Sequence, residues 1–266
     1  NANGVPVDWT GEADATISSN FSYLETGDSL ITTEGEYANV DAGISKILLD
    51  NPANKANAKV DKFAIVIDSG VAKLDDFNIG SVSESLSMSF IDSNYNTILS
   101  DETFKLDGVT TSNAFKDTVG HGTHVAGTIA AKADGKGVVG VAPGAEVISL
   151  KVFGDTGSTT FEIIFDAVST AIDYVLEDSV DLWNDSDNDI KYLGIQEKDT
   201  SALNVNNTVI NLSLGGGLNA QSQPIVDLIE SAAAKGVKFA IAGGNSNTDV
   251  DYTSPAAAGA VENVYT

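Results

Sequence analysis

The chain has 266 residues, enough for one large α/β domain or two small ones, and carries a net charge of −24. Its 14 basic residues are scattered, so no patch neutralises phosphates and a nucleic-acid partner is not expected. No apolar run approaches the ~20 residues of a membrane-spanning helix. With no cysteine, cross-linking has to come from packing or bound metal. The first residue is Asn1 with no apolar leader behind it, as expected of a processed or excised chain.

Residues 1–58 are polar and acidic with weak periodicity and read as an N-terminal extension of unclear structure. Within them YANVDAGISKILLDN places Ile44, Ile47, Leu48 and Leu49 on one helical side, ending at Asn51-Pro52. From residue 59 the character changes. KFAIVID (62–68), AEVISLKVFG (145–154), NTVINLSLGGG (207–217) and GVKFAIAGGN (236–245) are short apolar runs bounded by turn residues, as strands buried on both faces should be. Helical patterns alternate with them. HVAGTIAAKA begins at His124, FEIIFDAVSTAIDYVLED (161–178) repeats apolar residues at three and four, and QPIVDLIESAAAKG (223–236) stops at Gly236. Strand and helix in alternation predict an α/β fold, a mostly parallel, doubly wound sheet with helices on both faces.

Ligands of such a sheet bind beyond the carboxyl ends of its strands. Those ends carry Asp68, the Ser213-Leu214-Gly215 turn and Asn245, each beside glycines that let backbone approach closely. The chain's two histidines, His121 and His124, stand at the head of a small-residue helix in GHGTHVAGTIAA (120–131). An acid, an imidazole and an amide at one rim are the parts of an acyl-transfer site. The acid orients the imidazole, the imidazole takes a hydroxyl proton, and the amide donates to a developing oxyanion.

VIDSG (66–70), GHGTHVAGTIAA (120–131), GVVGVAP (137–143), INLSLGG (210–216) and AGGN (242–245) stand in the order found in the subtilisin-like serine proteases, or subtilases, and the chain resembles that family from about residue 60 to its end. The resemblance implies that 59–266 form a subtilisin-like peptidase domain. It implies Asp68 as triad acid, His121 as general base and Asn245 as oxyanion donor, with activity requiring a neutral imidazole. Ser213, Leu214 and Gly215 would form one wall of the pocket before the scissile bond, and Ala242, Gly243 and Gly244 the other. Gly157, in KVFGDTGSTTF (151–161), would lie along an extended polypeptide substrate, and Phe161 would floor a more distant apolar pocket. AAKADGKGVVGVAP (130–143) matches a calcium-winding loop of the family. Asp134 would give a side-chain oxygen, Lys132, Lys136 and Val138 backbone oxygens, and Asp76 a second acid. The resemblance also implies an extracellular protein.

Plainer readings stand beside these. His121 and His124, at i and i+3, have a spacing compatible with metal ligation, but no Glu follows as in a zinc hydrolase helix. His124 reads as a structural histidine. Phe161 suits a helix core as well as a pocket, and 130–143 suits an ordinary polar turn as well as a calcium loop. DLWNDSDNDIKYLG (181–194) alternates Asp185, Asp187 and Asp189, but Ile190 and Gln196 break the EF-hand pattern, which favours a solvated acidic loop.

One expected part is absent from the sequence. The family's nucleophile lies in a G-T-S-M-A type segment, and none occurs here; Ser254 in YTSPAAAGA lacks the flanking residues. The expectation is a chain truncated at its C-terminus, inert alone, whose parent hydrolyses peptide bonds through an acyl-enzyme. A missing C-terminal part or a complementary chain would then complete it. The alternative is an inactive peptide-binding or assembly module. Hydrolysis of an unstructured protein substrate separates the two.

Overall fold

The computed structural model describes residues 59–78, 80–91, 111–133, 138–176 and 199–266. The N-terminal extension with its expected helix, the acidic 181–194 segment, Asp134 and Lys136 lie outside the described residues. The chain divides into two compact units. The larger comprises Asp61–Lys73, Val82–Val125 and Val147–Thr266; the smaller includes Leu74–Ser81 and Ala126–Glu146.

The larger unit is built on a six-stranded sheet in the order β2-β3-β1-β4-β6-β8. Its strands are β1 (Phe63–Asp68), β2 (Met88–Ser89), β3 (Glu146–Lys151), β4 (Thr208–Leu212), β6 (Lys238–Ile241) and β8 (Val264–Tyr265). The pairs β2–β3, β1–β4, β4–β6 and β6–β8 are parallel. Every residue of β1 and β3 is buried, which is why these strands read as continuous apolar runs rather than alternating ones.

The described residues form three α-helices: α1 (His121–Ala130), α2 (Phe161–Leu176) and α3 (Gln223–Ala233). In α2 the residues Ile163, Ile164, Ala167, Val168, Ala171, Ile172 and Val175 are buried at three- and four-residue spacing. The Tyr174 hydroxyl, also buried, donates to the Leu86 carbonyl at 3.0 Å. α2 and α3 pack on each other, α2 on β1 and α3 on β6. One hydrophobic core joins them to the sheet through Ile65, Ile67, Ile148, Leu150, Ile210 and Phe239. The α2 face also takes in two acids. Burial, with repulsion from Glu162 added, pushes Asp166 up to about 7, and burial pushes Asp173 up to about 6. Gly236, at φ +96°, ends the α3 segment, where the Val237 amide donates to the Ala232 carbonyl.

All four expected strands are shorter than their apolar runs. Gly216–Gly217 leaves the main sheet as β5 and pairs antiparallel with β7 (Thr253–Ser254), Gly216 opposite Ser254. In the smaller unit, residues after α1 fold back on its last turn. The amides of Gly140, Val141 and Ala142 donate to the carbonyls of Ala131, Thr128 and Ile129. A Cβ on Gly140 would stand 2.5 Å from the Ala130 and Ala131 nitrogens, so only glycine fits there. The Asn78 side chain donates to the Pro143 carbonyl at 2.9 Å.

Candidate active site

Parallel pairing in register aligns the strand ends. Asn211 of β4 pairs with Val66 of β1, and Leu212 with Ile241 of β6. Asp68, Ser213 and Ala242 therefore leave the sheet at one level. The Asp68 carbonyl accepts from the Val152 amide at 2.8 Å and the Leu212 carbonyl from the Ala242 amide at 3.0 Å, extending the ladder into the rim.

Asp68 and His121 meet at that rim. His121 Nδ1 lies 2.8 Å from Asp68 Oδ1 and 2.9 Å from Oδ2. The carboxylate is buried at 1% exposure, whereas the imidazole is 53% exposed. An ionised carboxylate only accepts, so with Asp68 charged the ring proton sits on Nδ1 and the Nε2 lone pair faces away from it. The Ser69 amide donates to Asp68 Oδ1 at 2.7 Å.

Close approach explains one glycine of the motif. A Cβ on Gly122 would run into the Gly70 carbonyl oxygen and stand 3.0 Å from the Asp68 Cβ. Gly120 does a different job. It has open space around it but sits at φ +84°, where the chain turns into α1. Gly127 also has nothing within 4 Å among the described residues, while Ala126, Ala130 and Ala131 are fully buried. His124 is exposed on α1, and among the described residues no group of three or more His, Asp or Glu is arranged to hold a metal.

A second acid organises the approach to His121. Asp117 accepts from the Gly120 amide and Ser69 hydroxyl on Oδ1, and from the Thr123 amide and hydroxyl on Oδ2, at 2.6 to 2.9 Å. Burial alone would raise its pKa, but these four donors outweigh burial and hold the carboxyl below the ordinary value. Lys151, buried at the end of β3, donates from Nζ to the Ser69 carbonyl at 2.5 Å and the Lys116 carbonyl at 2.9 Å. Burial lowers its pKa against the pull of Asp117 and Asp155. Sequence reasoning passed over Ser69, Asp117, Thr123 and Lys151. The available signals were an acid four residues ahead of His121 and a lone lysine closing a buried strand.

The expected substrate-binding residues fall into three places on this unit. Ser213 follows β4, its hydroxyl accepting from the Asn211 side chain at 3.0 Å; Leu214 is buried and Gly215 exposed. Ala242, Gly243 and Gly244 follow β6, with Gly244 at φ +89° and Asn245 exposed beyond it. Gly157, at φ +77°, sits in a turn closed by its own amide on the Gly154 carbonyl at 2.9 Å, so that amide is already engaged. Phe161 opens α2, and a Cβ on Gly216 would stand 3.5 Å from its ring. Ser254 is buried and donates its hydroxyl proton to the Ser222 carbonyl at 3.2 Å, which suits a structural serine.

Of the expected calcium ligands, Asp76 is exposed, and its carbonyl accepts from the Lys132 amide at 2.8 Å. Val138 is exposed on the same unit. A carboxylate with neighbouring carbonyls is a donor set that suits calcium.

Comparison with known proteins points one way. The model of a family described as the subtilase family matches residues 65–265. Alkaline protease 1 of Aspergillus oryzae is 37% identical over 142 residues, covering 53% of this chain and 27% of that protein. A subtilisin-like serine protease of Rhodotorula mucilaginosa is 36% identical over 144 residues, covering 54% of this chain and 33% of that protein. The match thus spans about a third or less of the length of these relatives. A solved structure of a cold adapted subtilisin-like serine proteinase aligns with TM-score 0.47 and 27% identity, over 76% of this chain and 54% of that one.

Proposed function

This chain belongs to the subtilase family, and on that premise we propose that it carries the acid–base half of a serine endopeptidase. The observation that carries the reading is the Asp68–His121 pair, with a buried carboxylate on Nδ1 and an exposed ring. His121 Nε2 takes the proton of a serine hydroxyl as its oxygen attacks the scissile carbonyl. The imidazolium, stabilised by Asp68, returns that proton to the leaving amine. Asn245 donates to the oxyanion. Water, deprotonated by the same imidazole, then releases the acyl group.

The hydroxyl would be supplied by a residue outside these 266, a reading supported by the engaged Ser254 hydroxyl. The substrate would be an extended polypeptide lying along Gly157, with the side chain before the scissile bond seated between Ser213–Gly215 and Ala242–Gly244 and a more distant apolar side chain over Phe161. The reading places the protein outside the cell. Among the described residues no helix is long and apolar enough to cross a membrane. Calcium, held by the carboxylates of Asp76 and Asp134 and the carbonyls of Lys132, Lys136 and Val138, would stabilise the smaller unit without entering the chemistry.

A fluorophosphonate tests the proposal, since it labels only an activated serine. A labelled species heavier than this chain, or a labelled companion chain, is the expected result. An unlabelled protein that carries the nucleophile segment would refute it and favour a binding module.

A further inference from the structure

The bonds around Asp117 reach beyond those of a helix cap. A cap has only to satisfy orphan amides of the first turn, here those of Gly120 and Thr123. Asp117 also takes the Ser69 hydroxyl proton, and Ser69 directly follows Asp68. The same Ser69 hydroxyl accepts from the Gly122 amide at 2.9 Å, and the Ser69 amide donates to Asp68 itself. The Thr123 hydroxyl, bonded to Asp117, accepts from the Ala72 amide at 2.9 Å. Residues on both sides of His121 are thus tied to the segment that carries Asp68. Lys151 grips the same two segments through the carbonyls of Ser69 and Lys116.

We infer that Asp117 is a positioning residue, whose carboxylate, through Ser69, Gly120 and Thr123, sets the alignment of the His121 ring on Asp68. Four donors converge on two oxygens with no spare acceptor, so the carboxylate has one way to sit. An amide in its place turns one acceptor into a donor that faces two other donors. The expected consequence is a slipped first turn of α1. A misplacement of ~1 Å at a reacting group costs about 10²-fold in rate. The inference rests on His121 being the general base, but its first readout does not.

The chain's two histidines make the imidazole protons easy to assign with 15N-histidine labelling. In the unaltered protein the His121 Nδ1 proton is held by Asp68 and exchanges slowly with water. Asp117→Asn should speed that exchange about tenfold or more, as loss of a well-aligned bond of ~1.4 kcal/mol requires. Ser69→Ala, which changes no charge, should act in the same direction and serves if Asp117→Asn does not fold. Thr123→Ser keeps the hydroxyl and should restore unaltered behaviour where Thr123→Val does not. In the protein that carries the nucleophile, Asp117→Asn and Ser69→Ala should lower kcat and leave KM nearly unchanged. If melting temperature falls while the Nδ1 proton exchanges as before, Asp117 is a cap alone and the inference is wrong. If the proton is lost while kcat holds, the brace stands and the general-base role of His121 falls.

Discussion

Gly122→Ala sets two effects of opposite sign against each other. Inside a helix, replacing glycine by alanine ordinarily stabilises by ~1 kcal/mol. Here the added Cβ meets the Gly70 carbonyl oxygen and approaches the Asp68 Cβ to 3.0 Å. The first is a backbone atom and the second a Cβ fixed directly to the backbone, so neither can swing aside. Gly70 sits at φ +111°, and a Cβ on it would in turn meet the Lys116 carbonyl at 2.9 Å, so the loop after β1 has no room to retreat. The head of α1 must move instead, by ~1 Å, at an overpacking cost of about 1–3 kcal/mol. The net is a loss of about 0–2 kcal/mol, and the severity of the contact with the Gly70 oxygen sets it toward the upper end. The same shift opens the Asp68–His121 bonds. Gly127→Ala is the control, because that glycine lies in the same helix with nothing within 4 Å and should gain most of the propensity term. Urea midpoints of the two variants should move in opposite directions. A Gly122→Ala protein more stable than the parent would refute the close approach at the site.

Other expectations can be checked alongside. Gly216→Val should fill the space above the Phe161 ring and lower kcat/KM for peptides with a large apolar side chain there by ~10-fold or more, sparing those with alanine. Asn245→Ala should reduce kcat of the nucleophile-bearing protein by about 10²–10³ with a smaller change in KM, measured on one chromogenic peptide. The Asp166 pKa is raised from 3.8 in an ordinary carboxyl to about 7, so the fold holds protons that the unfolded chain has released. Its contribution to stability falls as pH rises from about 4 to 7. Asp166→Asn should accordingly stabilise at pH 8, on the order of 2 kcal/mol after allowance for partial exposure, and the gain should vanish near pH 4 in urea titrations. If calcium is held at 132–138, a chelator should lower the melting temperature and excess calcium should restore it; saturation at 100 times Kd is worth about 2.7 kcal/mol.

The sequence by itself determined the layout. FAIVID and EVISLK are apolar without interruption because both faces of their strands are covered, so their strand character and parallel setting were legible locally. The three- and four-residue spacing in 161–176 likewise announced α2. Asp68 and His121 were legible as a pair because chemistry at the rim of such a sheet sets an acid at a strand end against a base at a helix head, and the 2.8 Å contact joins them. Two-residue strands such as β5 and β7 have no periodicity to read, and only tertiary pairing defines them. The roles of individual glycines were hidden for a similar reason. GHG looks symmetrical in sequence, yet Gly120 answers to a backbone angle and Gly122 to a carbonyl brought in from residue 70. Asp117, Ser69 and Lys151 each look like ordinary polar residues along the chain. Their weight comes from hydrogen bonds between segments 35 to 82 residues apart, and such partners exist only once the sheet has brought the strand ends together.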